Sequence, residues 1–233
     1  MGPAVKPITI VTGHFGSGKT EITINLALRL RSQSAEAQVA LADLDLVNPY
    51  FRSREVRHIL AAKGITAVIP PEEFLTSEMP ALPVGIINTV RQAKDGNFKL
   101  VIDLGGDEQG IVVLGQLKPE LNEGDYTVWL VVNPYRPFSR NIEEITATIR
   151  RIEAIGRISV RGLISNPHLL AETQLETIVD GHRIVRETAE RLRIPVIALA
   201  VHERFAERLR ESGIQEEIWP ITLFTRPAWL DPE

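Results

Sequence analysis

Residues 11–21 read VTGHFGSGKTE, and Gly13, Gly18, Lys19 and Thr20 fall on the fixed positions of the pattern G-x-x-x-x-G-K-[ST]. Glycines at that spacing let successive backbone N–H groups converge on phosphate oxygens. A helix opening at the lysine adds its positive dipole end. Gly13, His14, Phe15, Gly16, Ser17, Gly18, Lys19, Thr20 and Glu21 therefore form the candidate nucleotide cradle. Lys19 is expected to neutralise β- and γ-phosphates, and the Thr20 hydroxyl to ligate Mg2+.

Carboxylates supply the second ingredient. Asp43 and Asp45 close the apolar run 38–45, and a spacing of two puts both on one side of an extended chain. Beside a phosphate loop, such a pair suits one carboxylate near Mg2+ and one orienting an attacking water. The same residues also make helix caps and turns. Asp103 stands at the end of a third run, 99–104. Gly105 and Gly106 then allow the backbone to approach a γ-phosphate, and Asp107 follows where a switch would sit. The catalytic candidates are Lys19, Asp45 and Asp107, and the metal candidates are Thr20, Asp43 and Asp103.

Asn166 closes the run 160–166, where its carboxamide can pair with N6 and N7 of adenine or form the turn before Pro167. No N-K-x-D pattern follows, so no carboxylate awaits the N1 and N2 hydrogens of guanine. ATP, with ADP as product, is expected rather than GTP. Arg136 and Arg140 are candidates for phosphate or partner contact, with a solvated role expected. Arg52 and Arg54 lie beside a first switch. His182 reads as a partly buried, satisfied histidine, and His58, His168 and His202 show no metal-ligand spacing.

These residues need a frame that brings loop ends together. The runs 7–12, 38–45, 66–71, 99–104, 126–133, 160–166 and 195–201 are continuously apolar, as parallel strands buried on both faces should be. Helical spacing separates them, as in Ile142, Ile145, Ile149 and Ile152. The alternation predicts an α/β fold: a three-layer, doubly wound, mostly parallel sheet with helices on both faces, in a single domain over 1–233. Two segments break the rhythm. Residues 70–83 carry four prolines and read as an ordered surface loop. The tail 218–233 is apolar but interrupted by Pro220 and Pro227, so it cannot be one amphipathic helix; it packs on its own domain or docks to a partner.

Composition narrows the chemistry. Cysteine is absent, which removes thiol nucleophiles, thiolate zinc sites and iron–sulfur clusters. A net charge of -4 argues against a nucleic-acid or anionic-membrane partner. Neither a signal-peptide pattern nor an apolar run of about eighteen residues is visible, so the cytoplasm is the expected compartment.

The phosphate loop, then "DLD" at 43–45, then "DLGGD" at 103–107, together resemble the MinD/ParA and nitrogenase-iron-protein group of P-loop NTPases. The cobyrinic-acid amidoligases and dethiobiotin synthetase are metabolic relatives of that group. The resemblance implies an ATPase used as a conformational switch, with a protein partner or a nucleotide-dependent homodimer. It also implies that Asp45 helps activate water and that Asp103 to Gly110 is the second switch. An ATP-dependent ligase or kinase, and a nucleotide-gated scaffold or metalloenzyme maturation factor, are the alternative functions. "D-x-x-G-D" is most similar to the iron protein, whose cluster a cysteine-free chain cannot hold. His14 stands where the ParA/MinD branch carries a lysine, and a neutral imidazole supplies no fixed charge.

Overall fold

The computed structural model describes residues 6–33, 38–45, 54–69, 82, 85–96 and 98–225. Fifteen elements follow in order: β1 (Ile8–Gly13), α1 (Lys19–Gln33), β2 (Gln38–Leu44), α2 (Arg54–Ala62), β3 (Ile65–Val68), α3 (Ile86–Lys94), β4 (Phe98–Gly105), α4 (Glu108–Leu117), β5 (Tyr126–Val132), α5 (Ile142–Gly156), β6 (Gly162–Ser165), α6 (Leu175–Leu192), β7 (Val196–His202), α7 (Glu203–Glu211) and β8 (Ile218–Ile221). The eight strands form one sheet ordered β3-β2-β4-β1-β5-β6-β7-β8, and all seven pairings are parallel. The expected doubly wound α/β architecture is the one the chain adopts.

Both faces of this sheet are dry, which explains the continuous apolar runs. Ile8, Ile10, Leu100, Ile102 and Leu104 point into one core with Val90 of α3, Leu114 of α4 and Ile149 of α5. Val11, Leu41 and Val101 point the other way, against Ile22 and Leu26 of α1 and Leu60 of α2. A strand buried on both sides leaves no polar residue to mark its alternation. Helix starts are marked instead. Asn141 caps α5 by accepting the Glu144 N–H at 2.8 Å, and Glu143 and Glu144 favour the positive end of that helix.

The tail departs from expectation. Residues 218–221 form an eighth strand, where the sequence reading found only a proline-broken segment. Ile218, Trp219 and Ile221 are buried, while Pro220 faces outward on the edge strand, where a missing donor costs no ladder bond. Trp219 packs against Trp129 with ring centroids 6.1 Å apart, and the Arg29 guanidinium lies 5.3 Å over its ring. β3 ends at Val68, before Pro70, rather than reaching residue 71. Arg52, the loop 70–83 apart from Leu82, and residues 226–233 lie outside the described residues, as does the side chain of Arg54. Among the described residues, no helix is long and apolar enough to cross a membrane.

Candidate functional site

Strand order decides what meets at the carboxyl edge of the sheet. β4 inserts between β2 and β1, and the register places Asp43 directly beside Asp103 and Gly13 beside Gly105. The loop 14–18 leaves β1 at this edge and delivers Lys19 and Thr20 into the first turn of α1. Two of its glycines are required by shape. Gly18 has φ +84°, and a Cβ there would collide with Asn166 Nδ2, which donates to the Ser17 carbonyl at 2.8 Å. Gly106 presses against the Gly13 carbonyl so closely that no side chain fits between β4 and the loop.

The polar centre is compact and nearly dry. Lys19 is 5% exposed, and its Nζ lies 2.5 Å from Asp45 Oδ2. Burial opposes the charge on Lys19, yet Asp103, Asp45 and Asp43 together outweigh it and hold its proton more tightly than usual. Thr20 Oγ1 donates to Asp103 Oδ2 at 2.7 Å. Complete burial pushes Asp103 up to about 6, against the pull of Lys19 and the Thr20 hydroxyl. Its other oxygen, Oδ1, is buried without a hydrogen-bond partner among the described residues. Asp43 Oδ1 accepts the Asp45 backbone N–H at 2.9 Å, which fixes the turn that aims Asp45 at the lysine.

Such a donor set fits Mg2+ better than a metal held wholly by protein. Among the described residues, no cluster of three or more His, Asp or Glu side chains has metal-binding geometry. Mg2+ is commonly bound by one or two carboxylates plus phosphate oxygens and water. The unpartnered oxygen of Asp103 and the hydroxyl of Thr20 would be the groups to supply that share, with Asp43 beside them. Asp107 begins α4 as its cap, accepting the Gly110 N–H at 2.7 Å. A Cβ on Gly105 would stand 3.2 Å from Asp45 Oδ1 and 3.6 Å from Asp107 Oδ2, so both carboxylates flank the same glycine.

Two predicted cradle residues, His14 and Glu21, turn their side chains elsewhere, and a third, Phe15, stands open to solvent. The His14 imidazole turns toward α5, with Nε2 3.1 Å from Thr148 Oγ1 and 3.2 Å from Arg151 Nη2, and its ring 5.2 Å from that of Phe138. Arginine can only donate, so the Arg151 contact uses Nε2 as acceptor. Burial and Arg151 pull His14 below its ordinary pKa, with Asp107 opposing, so the ring is neutral near pH 7. Phe15 is 77% exposed. Glu21 accepts the backbone N–H groups of Phe224 and Thr225 at 2.8 and 2.7 Å and the Thr225 hydroxyl at 2.5 Å, so it fastens the segment after β8 to α1.

Sequence reasoning gave too little weight to two residues. Arg136, expected to be solvated, lies half-buried against Gly16 of the loop. His168, dismissed for want of ligand spacing, sits beside Gly18, and burial together with Arg136 holds its pKa down at about 4. The run Asn133-Pro134-Tyr135-Arg136 at the end of β5 was the available signal. Asn133 donates to the His168 carbonyl and accepts the His168 N–H, tying the β5 and β6 loops together. His182, expected to be partly buried and satisfied, is buried with Nε2 3.2 Å from Glu216 Oε2, and neither ring nitrogen makes a hydrogen bond among the described residues.

No protein-family model matches the sequence, and no curated protein matches it either. In fold, the chain is similar to the cell division protein FtsY of Thermotoga maritima, with a TM-score of 0.56 and 19% identity over 84% of this chain and 62% of that one. It is similar to chloroplast FtsY of Physcomitrella patens, with a TM-score of 0.55 and 20% identity over 84% of this chain and 58% of that one. A structure of FlhF complexed with GTP/Mg(2+) gives 0.51 and 13% over 83% and 65%. The chain therefore spans less than two thirds of the length of these neighbours. Their likeness establishes an α/β P-loop NTPase fold, and it does not reach as far as the MinD/ParA family.

Proposed function

We propose that the chain is a Mg2+-dependent nucleoside triphosphatase of MinD/ParA-like type that prefers ATP and acts as a nucleotide-driven switch. The observation that carries this reading is the convergence of Lys19, Thr20, Asp45 and Asp103 on one dry site, with the lysine and threonine opening α1 and the carboxylates ending β2 and β4.

Each residue then has a task set by its chemistry. Lys19 and the loop amides hold the phosphates and offset the charge that builds up during transfer. Thr20 and Asp103 would hold Mg2+, which when bound supplies charge neutralisation between phosphate oxygens. Asp45 lies one glycine from Asp107 and is placed to orient water once Lys19 turns to the nucleotide. Asp107, as the cap of α4, would pass a change at the γ-phosphate into that helix. For the base, Asn166 stands just after β6 with its amide donating to the Ser17 carbonyl, and Leu169 follows it where a guanine-reading carboxylate would be needed.

Phosphate release with Mg·ATP and Mg·GTP, in wild type and Lys19→Ala, tests the reading. Wild type is expected to turn over ATP in preference to GTP, and the variant neither. Turnover that survives in Lys19→Ala refutes the assignment of the site, and a preference for GTP refutes the assignment of the base.

A further inference from the structure

We infer that Arg136 is a phosphate-reading cation supplied from within the chain, engaging the β- and γ-phosphates from the Gly16 side of the loop. The inference rests on the nucleotide reading above and adds a residue to it. Its base is rigid. The Arg136 N–H donates to the Asn133 carbonyl at 3.0 Å, the Tyr135 N–H donates to Asn133 Oδ1 at 3.2 Å, and the Tyr135 hydroxyl donates to the Thr177 carbonyl at 2.7 Å. Pro137 follows and restricts the chain further.

From that anchor the side chain lies flat on the loop. A Cβ on Gly16 would stand 3.1 Å from Arg136 Nε, 3.3 Å from Cδ and 3.6 Å from Cζ, so the guanidinium stem lies close against the loop at that glycine. Nε is buried and has no hydrogen-bond partner among the described residues. A buried donor left unpaired is costly unless a ligand supplies the acceptor. A guanidinium presents five donors in a planar fork suited to phosphate oxygens.

The charge balance points the same way. Lys19 already faces Asp45, Asp103 and Asp43, and His14 is neutral. Bringing a polyanion into that setting calls for positive charge beyond one committed lysine, and Arg136 is a fixed cation in contact with the loop. A purely structural arginine, packing its stem over Gly16, would explain the close approach but not a donor buried without an acceptor.

The test compares triphosphate with diphosphate. Dissociation constants for Mg-bound non-hydrolysable ATP analogue, ADP and AMP are measured by calorimetry for wild type, Arg136→Ala and Arg136→Lys, with thermal melting as the check on folding. Loss of a charge-assisted contact is expected to weaken the triphosphate analogue about tenfold or more in Arg136→Ala, and AMP by less than about threefold. Arg136→Lys should recover part of the loss; should the alanine variant not fold, the lysine variant carries the comparison and is expected to weaken the triphosphate selectively. Equal affinities across variants, or an equal loss for AMP and the triphosphate, overturn the role of Arg136. Failure of the nucleotide reading has a different signature, in which wild type binds none of the three.

Discussion

Lys19 has a partner before any nucleotide arrives: Asp45 Oδ2 is 2.5 Å from its Nζ, and both side chains are almost removed from solvent. At an effective dielectric constant near 20, the gross attraction at that distance is about 7 kcal/mol. Phosphate oxygens repay most of it when they take the lysine, so what matters is the difference between two good partners. Releasing one charge-assisted hydrogen bond costs about 1.5–3 kcal/mol, or roughly 10- to 150-fold in a binding constant. Asp45→Asn removes that competitor without stranding the lysine, because Asp103 and Asp43 still surround it. The variant is therefore expected to bind ADP roughly tenfold or more tightly while losing turnover of Mg·ATP. Calorimetric titration with ADP in EDTA isolates the lysine from any role of Asp45 near a metal, and phosphate release under saturating Mg·ATP reads the second effect. A folded Asp45→Asn protein that binds ADP no tighter than wild type refutes the idea that the carboxylate restrains Lys19.

Asp103 and Glu21 give two further tests. The folded pKa of Asp103, about 6, is raised above its ordinary 3.8, so its protonated form stabilises the nucleotide-free fold fully below about 3.8, and that contribution is lost as pH rises through 6. A metal must displace that proton, so the gain in ADP affinity on adding Mg2+ should grow between pH 5 and 7, and Asp103→Asn should flatten the part of the profile that wild type shows beyond the titration of ADP itself; identical profiles would count against the assignment. Glu21→Ala removes the acceptor for three donors of the segment 222–225, which is expected to lower stability in urea by about 2 kcal/mol and to expose that segment to proteolysis. Unchanged stability and protease resistance would show that β8 holds the segment without Glu21.

Local pattern made much of the molecule readable. Seven strand positions, the long helix α5, the phosphate loop and the carboxylates at 43, 45 and 103 follow from residue type and spacing, because a two-sided core and a glycine-rich turn leave marks within a few residues. β8 left a weaker mark, since Pro220 reads as a breaker unless the strand is known to lie at an edge.

Sequence by itself determined that this chain is an α/β protein with the phosphate-loop pattern, no cysteine, and paired carboxylates at strand ends. Tertiary structure alone decided the partners. Thr20 and Asp103 are 83 residues apart and meet because β4 packs between β2 and β1. Glu21 holds a segment more than 200 residues later instead of facing a ligand, His14 turns to α5, and Arg136 comes to rest on Gly16. The physical reason is common to all four. Hydrophobic burial is non-directional, so a local apolar pattern says that a face will be covered but not by which element. The order in which the layers close then decides which polar groups are left facing one another.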